Sequence, residues 1–110
     1  MKRRTATAYL GNTLIASTTR GVLVEGNLYF PESDVDSDLL TPSALTTVCP
    51  WKGIARYRHL RVSGAEVRNA AWTYPLPTPF AWFLRRMIAF EPGTGVTIQP
   101  TPLSESPTHD

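Results

Sequence analysis

Twice near the start of the chain a Gly-Asn pair separates two short runs of apolar and β-branched residues. Thr5–Leu10 and Thr13–Thr18 flank Gly11-Asn12, and Val22–Glu25 and Leu28–Phe30 flank Gly26-Asn27. Such loops accept positive φ and fold a strand back antiparallel onto its neighbour, so each half reads as a hairpin. Pro31 has no N–H to give a ladder and ends the second hairpin. A third pair, Ile54–Val62 and Val67–Tyr74, is joined through Ser63-Gly64-Ala65-Glu66. Folding it about that loop sets Tyr57 opposite Ala71 and Ile54 opposite Tyr74, within a residue or two of register. The inward parity of the first strand switches from Ala55 and Tyr57 to Leu60 and Val62, and a bulge near Arg58-His59 would turn both pairs inward. Connections this short admit no crossover helices. The fold class is therefore mainly β: a compact antiparallel sheet, open barrel or small sandwich with one or two short helices.

The remaining segments fit that frame. Val35, Leu39 and Leu40 recur at helical spacing after Ser33, a candidate N-cap, which predicts a short helix over residues 33–40. Thr46-Thr47-Val48 leads as a strand into Cys49, which the following proline keeps extended. Pro75, Pro77 and Pro79 make a stiff connector to a helical turn over residues 79–85. Phe80, Trp82 and Phe83 are expected to pack as core, with a partner or dimer patch as the alternative, so the protein reads as a monomer or homodimer. Met87–Phe90 and Val96–Gln99 are the last strands. At 110 residues the chain holds one domain, residues 1–99, followed by a frayed Pro/Ser/Thr-rich tail over 100–110.

Charge and cysteine content narrow the functions. A net charge of +2 is too small for a nucleic-acid surface, and Arg56, Arg58, Arg61 and Arg68 lack the interleaved exposed aromatics of a strand-stacking groove, so no nucleic-acid partner is expected. These arginines read as an anion-binding face or as ordinary outward strand residues. A single cysteine excludes an internal disulfide and fits a reducing, cytoplasmic setting. No run approaches the roughly 20 apolar residues of a membrane span. Asp34, Asp36 and Asp38 invite a metal, but the sixth and twelfth positions of a calcium loop starting at Asp34 are Leu39 and Leu45, where a glycine and a bidentate acid are needed. No metal and no cofactor is expected, and the acids read as a solvated face.

The densest chemistry is Cys49-Pro50-Trp51-Lys52-Gly53. The third hairpin brings it beside Trp72-Thr73-Tyr74-Pro75. Cys49 reads as a thiolate nucleophile activated by a nearby ammonium or as a small buried hydrophobe, and the absence of an adjacent histidine favours the latter. Lys52 reads as a counter-charge for an anionic ligand, as an acid, base or imine former, or as a solvated turn lysine. Trp51, Tyr57, Trp72 and Tyr74 read as an aromatic pocket with one wall of core, and Asn69 as a ligand donor or a residue serving its own backbone. The leading expectation is a pocket for a small planar or anionic ligand between Cys49-Trp51-Lys52 and Trp72-Tyr74. Catalysis by Cys49 or Lys52 and an interaction module through Phe80–Phe83 are the alternatives.

These motifs occur in a recognisable order. Val24-Glu25-Gly26-Asn27, Tyr29-Phe30-Pro31, Leu40 with Pro42-Ser43, Thr47 to Gly53, Ala55 with Tyr57, Ala70-Ala71-Trp72 with Tyr74-Pro75, and Ile88-Ala89-Phe90 together resemble domain-of-unknown-function family number 427. That family is widespread in bacteria and in places carries a nucleotidyltransferase label. The resemblance implies a compact, mostly antiparallel β domain and no established reaction. This chain shows no Gly-rich phosphate loop and no converging carboxylates in support of the label. Phe80, Trp82 and Phe83 depart from the polar residues that the family tends to carry after Tyr-Pro.

Overall fold

A computed structural model describes residues 3–101. Eight strands make one open antiparallel sheet: β1 (Arg4–Leu10), β2 (Thr13–Val24), β3 (Asn27–Pro31), β4 (Leu40–Cys49), β5 (Gly53–Val62), β6 (Ala65–Thr73), β7 (Met87–Phe90) and β8 (Val96–Thr101), in spatial order β4-β5-β6-β7-β3-β2-β1-β8. β8 runs to Thr101, two residues past the expected strand end, and the expected frayed tail beyond it lies outside the described residues. The length of β2 shapes the sheet. Its first part pairs with β1 and Val22–Val24 pair with β3, with Gly21 at the change of partner. A Cβ there would come within 3.2 Å of the Arg4 carbonyl oxygen.

Alternation along the central strands fills two cores on opposite faces. Phe30, Ala71 and Ile88 belong to a cluster with Ile15, Leu60 and Phe90, while their chain neighbours Tyr29, Trp72 and Ala89 belong to a second with Val22, Ala55, Tyr74 and Leu84. All four residues of β7 are buried, as a strand covered on both faces must be.

The turns refine the sequence expectations. The first hairpin turns at Gly11-Asn12, with Gly11 at φ +60°. The second turns one residue earlier than expected, at Glu25-Gly26, where φ is +54° and +83° and Asn27 already pairs with Val24. The third closes on Ser63-Gly64 alone, at +52° and +83°, with Ala65 and Glu66 already in β6. Both are two-residue loops with positive φ at both positions, the geometry that matches strand twist. Tyr57 pairs with Trp72 and Arg58 with Ala71, one residue from the expected register. The bulge expected on β5 near Arg58-His59 lies on β6 instead: only His59 separates Arg58 from Leu60, whereas Arg68, Asn69 and Ala70 separate Val67 from Ala71; β5 keeps its alternation, with Ala55 and Tyr57 on one core and Leu60 and Val62 on the other. Asn69 takes φ +53° in the β6 bulge.

Two expectations fail. Residues 33–40 form no α-helix; 3-10 turns at Glu32–Asp34 and Ser37–Leu39 replace it, and Ser33 caps nothing. Val35 between them bridges to Ala16 as an extended residue, so pairing with β2 displaces the helical pattern. Phe80, Trp82 and Phe83 are not core. In Pro79–Leu84, two 3-10 turns that meet at a non-helical Ala81 (φ −118°), Ala81 and Leu84 are fully buried while Phe80, Trp82 and Phe83 turn outward, Phe80 to 84% exposure.

Candidate functional site

The turn between β4 and β5 is held from three directions. The Lys52 N–H donates to the Cys49 carbonyl at 3.1 Å, closing the turn, and the Thr78 N–H donates to the Lys52 carbonyl at 3.0 Å. The Thr78 hydroxyl also donates to the Trp51 carbonyl. At Gly53, φ +120°, a Cβ would stand 3.3 Å from the Leu76 carbonyl oxygen, so only glycine lets the proline-rich connector lie this close. Lys52 is thereby buried to 6% exposure.

Glu25, at the tip of the β2–β3 hairpin, reaches across to receive it. Lys52 Nζ donates to Glu25 Oε1, and Trp51 Nε1 donates to Oε2 at 3.2 Å. The ammonium also lies 5.4 Å from the Trp51 ring centre and 5.8 Å from that of Tyr74. The Lys52 and Trp51 hydrogen bonds hold the Glu25 carboxyl below its ordinary range. Burial works against the Lys52 charge, but the Glu25 hydrogen bond and nearby phenols outweigh it and raise its pKa. Lys52 is therefore a protonated counter-ion at neutral pH.

The other aromatics extend this cluster inward. Trp72 Nε1 donates to the Tyr29 hydroxyl at 3.2 Å, with the rings edge to face at 6.2 Å, and Tyr57 stands 6.0 Å from Trp72. Tyr74 is buried, and burial, followed by the neighbouring Tyr29, pushes its phenol up to about 12. Half-buried Cys49 packs on the edge of the cluster. The structure thus brings together Cys49, Trp51, Lys52, Tyr57, Trp72 and Tyr74, as packed wall around one ion pair. Asn69 is elsewhere, at the bulge, where its N–H donates to His59 Nδ1 at 3.0 Å and its side chain accepts from the Ser43 hydroxyl. Sequence reasoning passed over Tyr29 and Glu25 as site residues. Glu25 lies 27 residues from Lys52, so no local spacing ties the two.

A recess of about 230 Å³ is lined by Thr73, Tyr74, Pro75, Arg58, Arg85, Arg86 and Glu32. Thr73, at the end of β6, is 6% exposed, and its hydroxyl is the buried side-chain polar atom without a hydrogen-bond partner among the described residues. Arg85 is placed by its N–H, which donates to the Trp82 carbonyl at 3.0 Å, and by its guanidinium, 5.1 Å from the Trp82 ring centre. Arg86 takes φ +64°, and its carbonyl accepts the Glu32 N–H at 2.8 Å. Glu32, Arg85 and Arg86 also line a shallower depression of about 620 Å³ that reaches Arg3 and Arg20. The ion pairs among the described residues are Arg20–Asp34 and Lys52–Glu25, so none of Arg58, Arg85, Arg86 and Glu32 is ion-paired.

The Asp34-Asp36-Asp38 run does not converge on a point. Asp34 accepts from the Thr18 hydroxyl at 2.6 Å and from Arg20, and these bonds lower its pKa. No group of three potential metal-ligating side chains occurs among the described residues, and no described helix is long and apolar enough to cross a membrane.

Fold and site together define an open, eight-stranded antiparallel β domain with a packed Glu–Lys–aromatic cluster and a basic recess beside it. The family described as Domain of unknown function (DUF427) matches residues 1–99, and the chain belongs to that family. Comparison with curated proteins finds no match.

Proposed function

We propose that this protein binds a small anionic molecule, and that the binding site is the recess between Tyr74 and Arg86 rather than the packed interior of the aromatic cluster. The observation that carries the reading is the set of three guanidiniums, of Arg58, Arg85 and Arg86, that line one recess without an ion-pair partner among the described residues. An anion accepts from all three. The φ of Arg86 adds to the case, since a non-glycine residue held in the left-handed region costs on the order of 1–3 kcal/mol and such residues gather at functional sites. At about 230 Å³ the recess lies below the roughly 300–1,000 Å³ of sites for drug-sized ligands, so the ligand or its anchoring group is small.

Covalent catalysis gains less support, because Lys52 is held as an ammonium and the one described histidine, His59, already accepts the Asn69 N–H. The single free thiol accords with action in the cytoplasm. An amide-resolved NMR titration with sodium phosphate at low ionic strength tests the reading. The expected shifts concentrate at Thr73, Tyr74, Arg85 and Arg86 and saturate. Shifts spread evenly over all surface arginines, or centred on Trp51 and Lys52, would refute it.

A second reading has its own observation. Leu76, Phe80, Trp82 and Phe83 are exposed on neighbouring stretches of the connector and the 3-10 segment, a patch suited to a partner or a second copy. A molecular mass above 12.2 kDa on sizing, returned to the monomer by Trp82→Ser, would support it.

A further inference from the structure

We propose that Glu32 makes the recess selective for an oxyanion that still carries a proton, so that it takes free orthophosphate and rejects sulfate. The inference rests on the anion-binding reading above. A carboxylate in the wall of an anion site is out of place if the ligand is fully ionised, because like charges repel and the carboxylate offers only acceptors. It is in place if the ligand has an O–H to donate. The recess has both kinds of wall: Arg58, Arg85 and Arg86 as donors, and Glu32 as acceptor.

The spacing of these groups supports the assignment. Glu32 and three guanidiniums line one cavity, yet no arginine nitrogen comes within ion-pair distance of Glu32 among the described residues. Each group is anchored on its own: Glu32 sits in a 3-10 turn whose N–H donates to the Arg86 carbonyl, Arg85 lies against Trp82, and Arg58 stands on β5 between Pro42 and Ala71. A hydrogen phosphate set between them offers acceptor oxygens to the arginines and its O–H to Glu32. Sulfate matches it in size and charge but has no proton at neutral pH.

The charged and titratable groups that face Glu32 are Arg58 from β5, Tyr74 after β6, and Arg85 and Arg86 before β7, with Arg3, Arg20 and the Arg20-bound Asp34 around the outer depression. The Tyr74 phenol, raised to about 12, stays neutral, and the ligand's own proton sets the pH dependence. Orthophosphate keeps one proton as the dianion, whereas a phosphate monoester loses its last near pH 6. The shared chemistry is a protonated phosphoryl group, and the two sources differ in where they keep that proton.

The test is isothermal titration of the whole protein with sodium phosphate, sodium sulfate and glycerol 3-phosphate at pH 7.5, repeated at pH 5.5 and with Glu32→Gln. At pH 7.5 phosphate should bind at least tenfold more tightly than sulfate or the monoester. At pH 5.5 the monoester should gain on phosphate. Glu32→Gln, which offers an N–H in place of the carboxylate, should bring sulfate to within a few-fold of phosphate. Sulfate binding as well as phosphate in the wild-type protein would overturn the role of Glu32 while leaving the anion site standing. An unchanged ratio in Glu32→Gln would overturn it too, provided the variant keeps the wild-type melting temperature. If none of the three anions binds, the anion-binding reading itself fails.

Discussion

Replacing Thr73 with valine should make the empty protein more stable. In most proteins, removing a buried hydroxyl breaks a hydrogen bond and costs stability, but the Thr73 hydroxyl is buried without a partner among the described residues. Valine keeps the β-branched shape and the strand rotamer preference and puts a methyl where the hydroxyl was. Relief of even the lower part of the 1–3 kcal/mol penalty gives a gain of about 1 kcal/mol, or roughly 4–8 °C in melting temperature for a domain near this size. Calorimetric melting in a buffer free of phosphate reads it directly. A Thr73→Val protein that melts at or below the wild-type temperature in phosphate-free buffer would refute the reasoning, because the hydroxyl would then serve the fold.

Other perturbations test the packing and the charges. Leu84→Ala, at a fully buried position, should cost about 2–5 kcal/mol in chemical denaturation, whereas Phe80→Ser, at 84% exposure, should stay within about 0.5 kcal/mol; equal effects would contradict the outward turn of the aromatics. Asn69→Gly should be tolerated at φ +53°, while Asn69→Val should lower stability by about 1–2 kcal/mol. Glu25 and Asp34 both have lowered carboxyl pKa values. Their stabilisation is therefore present above the unfolded value near 4 and is lost as the pH falls below it. Denaturation midpoints from pH 6 to 2.5 should show a shallower acid loss in Glu25→Gln than in the wild-type protein. At the other end, the buried Tyr74 phenol, raised to about 12, contributes stability below the unfolded value near 10 that is lost as pH rises from there to 12. Phenolate absorbance should show one tyrosine titrating late, and Tyr74→Phe should remove it.

The hairpins were legible because they are local. Gly-Asn, Ser-Gly and strand alternation act over a few residues, and the register of β5 against β6 came within one residue for the same reason. The helix expected near Ser33 failed because Val35 pairs with Ala16 on β2, a tertiary contact that outweighs a weak periodic pattern. Phe80, Trp82 and Phe83 misled because apolar character alone does not say which side of a short segment faces the core; two 3-10 turns broken at Ala81 bury Ala81 and Leu84 and leave the aromatics outside. The aromatic cluster was visible through the third hairpin, which carries Tyr57, Trp72 and Tyr74 to one face. Its ion pair was not, since Glu25 and Lys52 meet only when two hairpin tips converge. The recess was hidden for a related reason: Glu32, Arg58, Thr73, Arg85 and Arg86 come from four separate segments, and the one sequence hint was Arg58 among the arginines of a suspected anion-binding face.

The central claim, a built site for a small oxyanion beside Tyr74, is tested most directly by calorimetric titration of phosphate into the wild-type protein, Arg58→Gln and Arg56→Gln. The two substitutions remove the same charge from β5, one inside the recess and one outside it, so a weaker long-range field would affect both alike. The account predicts saturable, one-to-one binding to the wild-type protein, weakened tenfold or more in Arg58→Gln alone, since a hydrogen bond to a charged group is worth about 1.5–3 kcal/mol. Equal affinity in the three proteins, or no saturable heat in the wild-type protein, would contradict it.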